Sequence, residues 1–238
     1  MKDVFDILSQ IDAPQVLDIA TGHGEFVFIL KEQLGSYQHI SAVDSNAQNV
    51  NYAQSLFPDE NIDIYRMNPE ELAFGDSSFD MVTIFNSIHH ILNWDRVGSE
   101  MLRVLKPGGI LMVTEMYHDG QQSEAQRTYI NVHHWIASVD RSLGIYHQPT
   151  FAKEQIIALV EKLGLHRLQM LDYYIPAGDP HQAEECRYMR QRCMDALKRM
   201  EYLDNADALR SEGEKTLAKL ETHGCVGARR LLLWGYKS

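Results

Sequence analysis

Four stretches of the chain set chemically capable side chains at the ends of apolar runs. The first, Val16-Leu17-Asp18-Ile19-Ala20-Thr21-Gly22-His23-Gly24-Glu25-Phe26, passes from an apolar run carrying an acid, through small residues, into an amphipathic segment. That order predicts a strand, a tight turn and a helix. With no side chain at Gly22 or Gly24, backbone N–H groups and a helix N-terminus approach a ligand closely, as a nucleotide or cofactor loop requires. The second stretch, 39–44, again ends on an acid. Asp44 lies 20 residues beyond Gly24, the separation at which nucleotide-binding α/β folds set a carboxylate to accept hydrogen bonds from ribose hydroxyls. A plain helix-capping role competes for Asp44, and Ser45 or Asn46 could fill that role equally well. The third stretch, 62–67, leads into Asn68-Pro69-Glu70-Glu71, and the fourth, 79–85, runs on into Asn86-Ser87-Ile88-His89-His90.

The spacing of the glycine loop separates two cofactor classes. A dinucleotide fingerprint needs a third glycine three residues after the second. That position is Val27 counted from Gly22 and Gly24, and Glu25 counted from Ala20 and Gly22, so neither register fits. The stretch instead resembles the first motif of the class I S-adenosylmethionine-dependent methyltransferases, with Ala20 where many members have glycine. Ser78-Phe79-Asp80, Asn86, His89-His90 and Leu105-Lys106-Pro107-Gly108-Gly109 before the run 110–115 narrow the resemblance to the ubiquinone/menaquinone-type branch. It covers roughly the first half of the chain.

The resemblance implies S-adenosylmethionine as cofactor and assigns roles by position. Ala20, Thr21, Gly22 and Gly24 would lie under the methionine part and Asp18 near its ammonium. Asp44 would take the ribose, with Ser45 beside it, and Met67 and Asn68 would surround the adenine. Asn86 would present an oxygen to the methionine end. Asn68 stands where the family usually has an acid, yet its amide both donates and accepts; Pro69 departs from the family's small residue. The reaction implied is methyl transfer by in-line displacement to a small-molecule acceptor. A base is needed only where that acceptor must lose a proton, and the candidates are His89, His90, Tyr117 and His118, which follow the fourth and fifth strands. His133, His134, Glu115 and Asp140 raise the question of a metal, but no histidine pair has the i,i+4 spacing with an acid that marks a zinc helix, and none is expected.

The elements that must position these residues alternate along the chain. They predict a Rossmann-like α/β domain over 1–238, a doubly wound, mostly parallel seven-stranded sheet whose last strand, 229–236, is antiparallel. Helices are expected at 1–12, 25–34 and 47–57. Another carries the stripe Trp94, Val97, Met101 and Val104 and is ended by Pro107 and the glycines after it. A further helix, 151–163, takes Thr150 as its cap. Helical insertions at about 119–149 and 177–225 are expected to cap a small-molecule site.

Composition narrows the partners. The chain has 238 residues, 45% of them hydrophobic, enough for a substantial core. A formal net charge of −11 without a basic stripe argues against nucleic acid. Acids in Met1-Lys2-Asp3-Val4-Phe5-Asp6 do not suit a signal peptide, and no apolar run approaches a membrane span. The cysteines Cys186, Cys193 and Cys225 lack metal-ligand spacing and read as reduced thiols, so a cytoplasmic monomer or homodimer is expected. Two other classes compete: a non-catalytic protein that binds an adenosyl ligand, and a nicotinamide oxidoreductase, which the missing glycine and the charge at Asp18 disfavour.

Overall fold

The computed structural model describes residues 4–58, 61–176, 178–203 and 206–238. The start of the leading segment, 1–3, and the first residue of the second insertion, 177, lie outside the described residues. In chain order the elements are α1 (Val4–Leu8), β1 (Gln15–Ile19), α2 (Glu25–Gln33), β2 (His39–Asp44), α3 (Ala47–Leu56), β3 (Ile62–Arg66) and β4 (Phe79–Phe85). A 3-10 turn, Ile88–His90, leads to α4 (Trp94–Val104) and β5 (Leu105–Met116). There follow α5 (Glu124–Ser142), α6 (Lys153–Glu161), β6 (His166–Tyr173), α7 (Glu184–Arg199), α8 (Asp207–His223) and β7 (Arg230–Tyr236).

The seven strands run in the order β3-β2-β1-β4-β5-β7-β6, with β7 antiparallel to both neighbours. The chain builds outward from β1 to β3 and then returns to the other side of β1 at β4. The crevice at the carboxyl ends of β1 and β4 is therefore the topological switch point, where open α/β sheets bind ligands.

Consecutive strand residues go to opposite layers. Val16, Met81, Met112 and Leu232 pack with Leu8, Phe26, Val27 and Val50 from α1, α2 and α3. Leu17, Val82, Val113 and Leu233 pack with Val97, Met101, Ile156 and Val160 from α4 and α6. Such burial on both faces explains the near-continuous apolar character of the central strands. A third cluster joins α5, α7 and α8 through Val132, Trp135, Met189, Cys193 and Leu220, and the Trp135 indole N–H donates to Leu209 O at 2.8 Å. All three cysteines are buried free thiols.

Two expected boundaries are corrected. The α4 helix ends at Leu105, whose N–H bonds Met101 O, and not at Pro107. Leu105 already pairs with Phe79 in parallel register, so the Pro-Gly-Gly segment lies within β5. Thr150 does not cap α6. Ala152 occupies the cap, its N–H donating to Gln155 Oε1 at 2.8 Å, while the Thr150 hydroxyl lies 2.7 Å from His134 Nε2.

Candidate active site

The glycine loop is bent by a run of left-handed residues. Ala20 has φ 55°, Gly22 φ 55° and Gly24, the residue before α2, φ 86°. A left-handed alanine costs about 1–2 kcal/mol, strain of the kind that persists at functional sites. Two neighbours hold the loop: Thr21 N–H donates to Val43 O at 3.0 Å, and Gly22 N–H donates to Asp44 Oδ2 at 2.8 Å. Above Gly22 there is open space, for an added Cβ would meet nothing within 4 Å.

Asp44, the last residue of β2, also accepts from Asn46 N–H at 2.8 Å and Asn49 Nδ2 at 3.3 Å. The cap of α3 is Asn46, whose side chain accepts from Gln48 and Asn49 N–H. Asp44 thus ties two helix starts together, and Ser45 contributes its carbonyl to Arg66 Nε at 3.2 Å. Met67 N–H bonds Asp44 O. Asn68 is exposed and folds its Oδ1 onto Glu70 N–H at 3.0 Å, which leaves its amide N–H groups outward.

On the other side of the switch point, Asn86 takes φ 46°, a conformation that asparagine tolerates. Its Oδ1 is buried with no hydrogen-bond partner among the described residues, and so is Asp18 Oδ2, although the Thr21 hydroxyl also acts on that carboxylate. The other Asp18 oxygen accepts from Thr83 Oγ1 at 2.7 Å. Ser87 ties the two loops together, its hydroxyl lying 3.2 Å from Ala20 O and 2.7 Å from Phe85 O.

The four candidate bases separate in space. Tyr117 points away from the crevice, its hydroxyl donating to Asp172 Oδ2 at 2.8 Å and accepting from Arg229 Nε at 3.0 Å. Burial, reinforced by the Asp172 bond, pushes this phenol up to about 12, so the geometry gives it no part as a proton acceptor. His118 is exposed, with Nδ1 2.7 Å from Thr150 O. His89 is buried, its Nδ1 2.8 Å from Glu115 Oε1, and the second Glu115 oxygen accepts from Ile88 N–H at 2.7 Å. His90 follows it on the exposed side, with its ring centroid 4.1 Å from that of His147.

Comparison with known proteins joins this geometry to a family. A methyltransferase-domain family model matches residues 17–113, from within β1 to within β5. Over residues 17–113 the chain is similar to methyltransferase domains of the class I, S-adenosylmethionine-dependent kind. A curated relative, the ubiquinone/menaquinone biosynthesis C-methyltransferase UbiE of Hydrogenovibrio crunogenus, is 35% identical over 104 residues, 42% of this chain and 41% of that protein. The chain thus aligns with about two fifths of the length of the curated relatives it matches. Among solved structures, the YcgJ protein of Bacillus subtilis aligns with a TM-score of 0.59 at 17% identity, covering 94% of this chain and 92% of that one. A phosphoethanolamine N-methyltransferase of Haemonchus contortus in complex with S-adenosyl-L-methionine aligns with a TM-score of 0.56 at 21% identity, covering 94% of this chain and 48% of that one.

Within this stretch Asp18 carries a pH-dependent cost. Burial, opposed by the Thr83 hydroxyl, pushes its carboxyl up from 3.8 to about 7. A raised folded-state pKa means that the proton favours the folded chain. The stabilisation is complete below 3.8 and is lost as pH rises toward 7. We expect Asp18→Asn to gain stability relative to the parent as pH rises from about 4 to 7, levelling at ~4 kcal/mol at about pH 8. Ligand-free melting temperatures across that range check it; a constant difference would contradict a protonating Asp18.

Two residues, His147 and Arg230, escaped the sequence reading. His133, weighed there for a metal, and His147 stand beside His89 in the structure, with His133 held well below the ordinary imidazole pKa chiefly by burial. Arg230 is only 7% exposed, its Nε has no partner, and its guanidinium lies 5.3 Å from the Phe85 ring centroid. A signal for Arg230 existed: it shares strand parity with Leu232, which belongs to the same layer as Phe85.

Proposed function

We propose that the chain transfers a methyl group from S-adenosylmethionine to a small molecule bearing an anionic or electron-rich group. The observation that carries this reading is the set of unpaired polar atoms at one crevice, Asp18 Oδ2 and Asn86 Oδ1, beside the open backbone of Gly22. These residues fit the cofactor. A sulfonium amino acid brings a cationic ammonium for Asp18 and Asn86, a carboxylate for the loop N–H groups, and ribose hydroxyls for Asp44. When bound, S-adenosylmethionine supplies an already electrophilic methyl carbon, which an acceptor attacks in line with the departing sulfur.

The protein's task is then mainly alignment and exclusion of water, a contribution of up to ~7–11 kcal/mol in favourable cases. The α5, α7 and α8 helices form the cap in this reading. Gln126 Nε2 donates to Gly227 O at 3.4 Å, and Val226 N–H donates to Ala125 O at 3.4 Å, which fastens α5 to the segment entering β7. Arg230, the first residue of β7, opposes Met116 at the carboxyl end of β5. A buried guanidinium whose Nε has no hydrogen-bond partner among the described residues can take an anion or an electron-rich ring.

The test is methyl transfer from labelled S-adenosylmethionine to matched phenols, carboxylated phenols and amines. The carboxylated acceptors are expected to be favoured, and Arg230→Met to raise their KM about 10-fold while leaving affinity for S-adenosylhomocysteine unchanged. Equal KM values for the variant and the parent would remove Arg230 from the acceptor site.

A further inference from the structure

Beside this crevice, four imidazoles from three segments converge on one small space. His89 and His90 belong to the turn after β4, His133 to α5, and His147 to the loop before α6. One ring nitrogen of each lies within 4.8 Å of the other three. The closest pair, His133 Nε2 and His147 Nε2, is 3.1 Å apart. Tetrahedral bonds of ~2.0–2.1 Å would set such nitrogens about 3.3 Å apart, so the closest pair already has coordination spacing and the rest of the cluster, within 4.8 Å, has to contract onto an ion.

The carboxylates behind the rings decide how they face. His89 Nδ1 meets Glu115 Oε1 at 2.8 Å, and His147 Nδ1 meets Asp140 Oδ2 at 2.6 Å. Asp140 is held in turn by Arg199. A carboxylate at Nδ1 fixes the proton there and turns the Nε2 lone pair inward, the carboxylate–histidine arrangement that supports metal ligands. His133 N–H can satisfy His147 Nε2 by a hydrogen bond. His89 Nε2, however, is buried with no hydrogen-bond partner among the described residues. A cation satisfies both lone pairs at once.

We propose that His89, His90, His133 and His147 bind a divalent transition-metal ion, with Zn²⁺ the best match. Four imidazole nitrogens suit zinc and its neighbours in the first transition row, whereas Mg²⁺ and Ca²⁺ take oxygen. Three of the ligands are buried and His90 is exposed, so His90 marks the route of entry. The ion lies next to the turn whose Ser87 hydroxyl bonds Ala20 O of the glycine loop, beside the methyl donor's end of the crevice. Helical spacing gave no hint of this site because its ligands come from three segments.

The experiment uses the tag-free full chain, stripped with a chelator and titrated with zinc sulfate by calorimetry, with metal content read by mass spectrometry. One ion per chain at sub-micromolar affinity is expected. His133→Ala and His147→Ala should each weaken binding on the order of 100-fold, and Asp140→Asn about 10–100-fold through the supporting carboxylate. Since the buried variants can misfold, His90→Ala, at the exposed position, is the companion, with folding checked by thermal melting and a loss of about 10-fold expected. Less than one ion per chain in the wild type, or His90→Ala and folded His147→Ala binding as tightly as the wild type, would overturn the proposal and leave a hydrogen-bonded imidazole cluster. No methyl transfer enters these readouts, so they stand or fall apart from the proposed reaction.

Discussion

Replacing Asp44 by alanine is expected to weaken S-adenosylhomocysteine binding by about 100-fold, with the chain still folded. Two losses combine. Asp44 is the carboxylate proposed for the ribose, and a hydrogen bond to a charged group contributes about 1.5–3 kcal/mol. It also accepts from Gly22 N–H at 2.8 Å and Asn46 N–H at 2.8 Å, so its removal frees the glycine loop from the start of α3. A carboxylate offers about four lone-pair sites. Gly22, Asn46 and Asn49 use three of them, and ribose would complete the set. Asp44→Asn keeps one acceptor oxygen and is expected to lose less than the alanine variant. Calorimetric titration with S-adenosylhomocysteine reads both effects. An alanine variant that binds like the parent would remove the ribose assignment, and Asp44 would then be only the clamp of its own loop.

The strand, loop and helix frame of the proposed donor half was legible in the sequence because it is local. An apolar run, an acid at its end and small residues before an amphipathic segment are contiguous, so Asp18, Gly22, Gly24 and Asp44 all fell at strand ends on one side of the sheet. Tyr117 was misread because order along the chain says that a residue follows a strand, not which way it points. Its parity matches Leu111 and Val113, which face α4 and α6, and it belongs to their layer. That period-2 argument was available and puts Tyr117 in the layer of Leu111 and Val113, where its hydroxyl meets Asp172 and Arg229. Thr150 was misread for a related reason: a hydroxyl before a helix has the chemistry of a cap, but His134, 16 residues earlier, takes it. The histidine cluster was legible only in pieces: His89, His90 and His133 were each singled out, but neither His147 nor their convergence was. His89 and His147 are joined by tertiary packing of α5 and the loop after it, and no spacing rule spans such a separation.

The two glycines of the loop should fail in different ways when each is replaced by alanine. Both hold a left-handed φ, 55° at Gly22 and 86° at Gly24, so each substitution costs about 1–2 kcal/mol in backbone strain. Their surroundings then diverge. A Cβ on Gly24 would lie 2.5 Å from Phe57 Cε2, against the end of α3. Overpacking of this kind adds about 1–3 kcal/mol, and each kcal/mol lowers the melting temperature of a chain this long by roughly 2–4 °C. We therefore expect Gly24→Ala to melt about 5–15 °C below the parent. A Cβ on Gly22 meets no protein atom within 4 Å, and in the proposed donor site that open space takes the methionine part of the cofactor. Gly22→Ala should thus melt closer to the parent yet bind S-adenosylhomocysteine at least about 10-fold more weakly, since a methyl group there holds the ligand off the backbone N–H groups. Thermal melting and calorimetry on the two variants separate the effects. If Gly22→Ala kept full affinity, the open space above it would not be the cofactor's, and the donor site would have to lie elsewhere along the crevice. If Gly24→Ala alone lost affinity without melting earlier, Phe57 would be yielding freely, and the end of α3 would be softer than its buried ring implies.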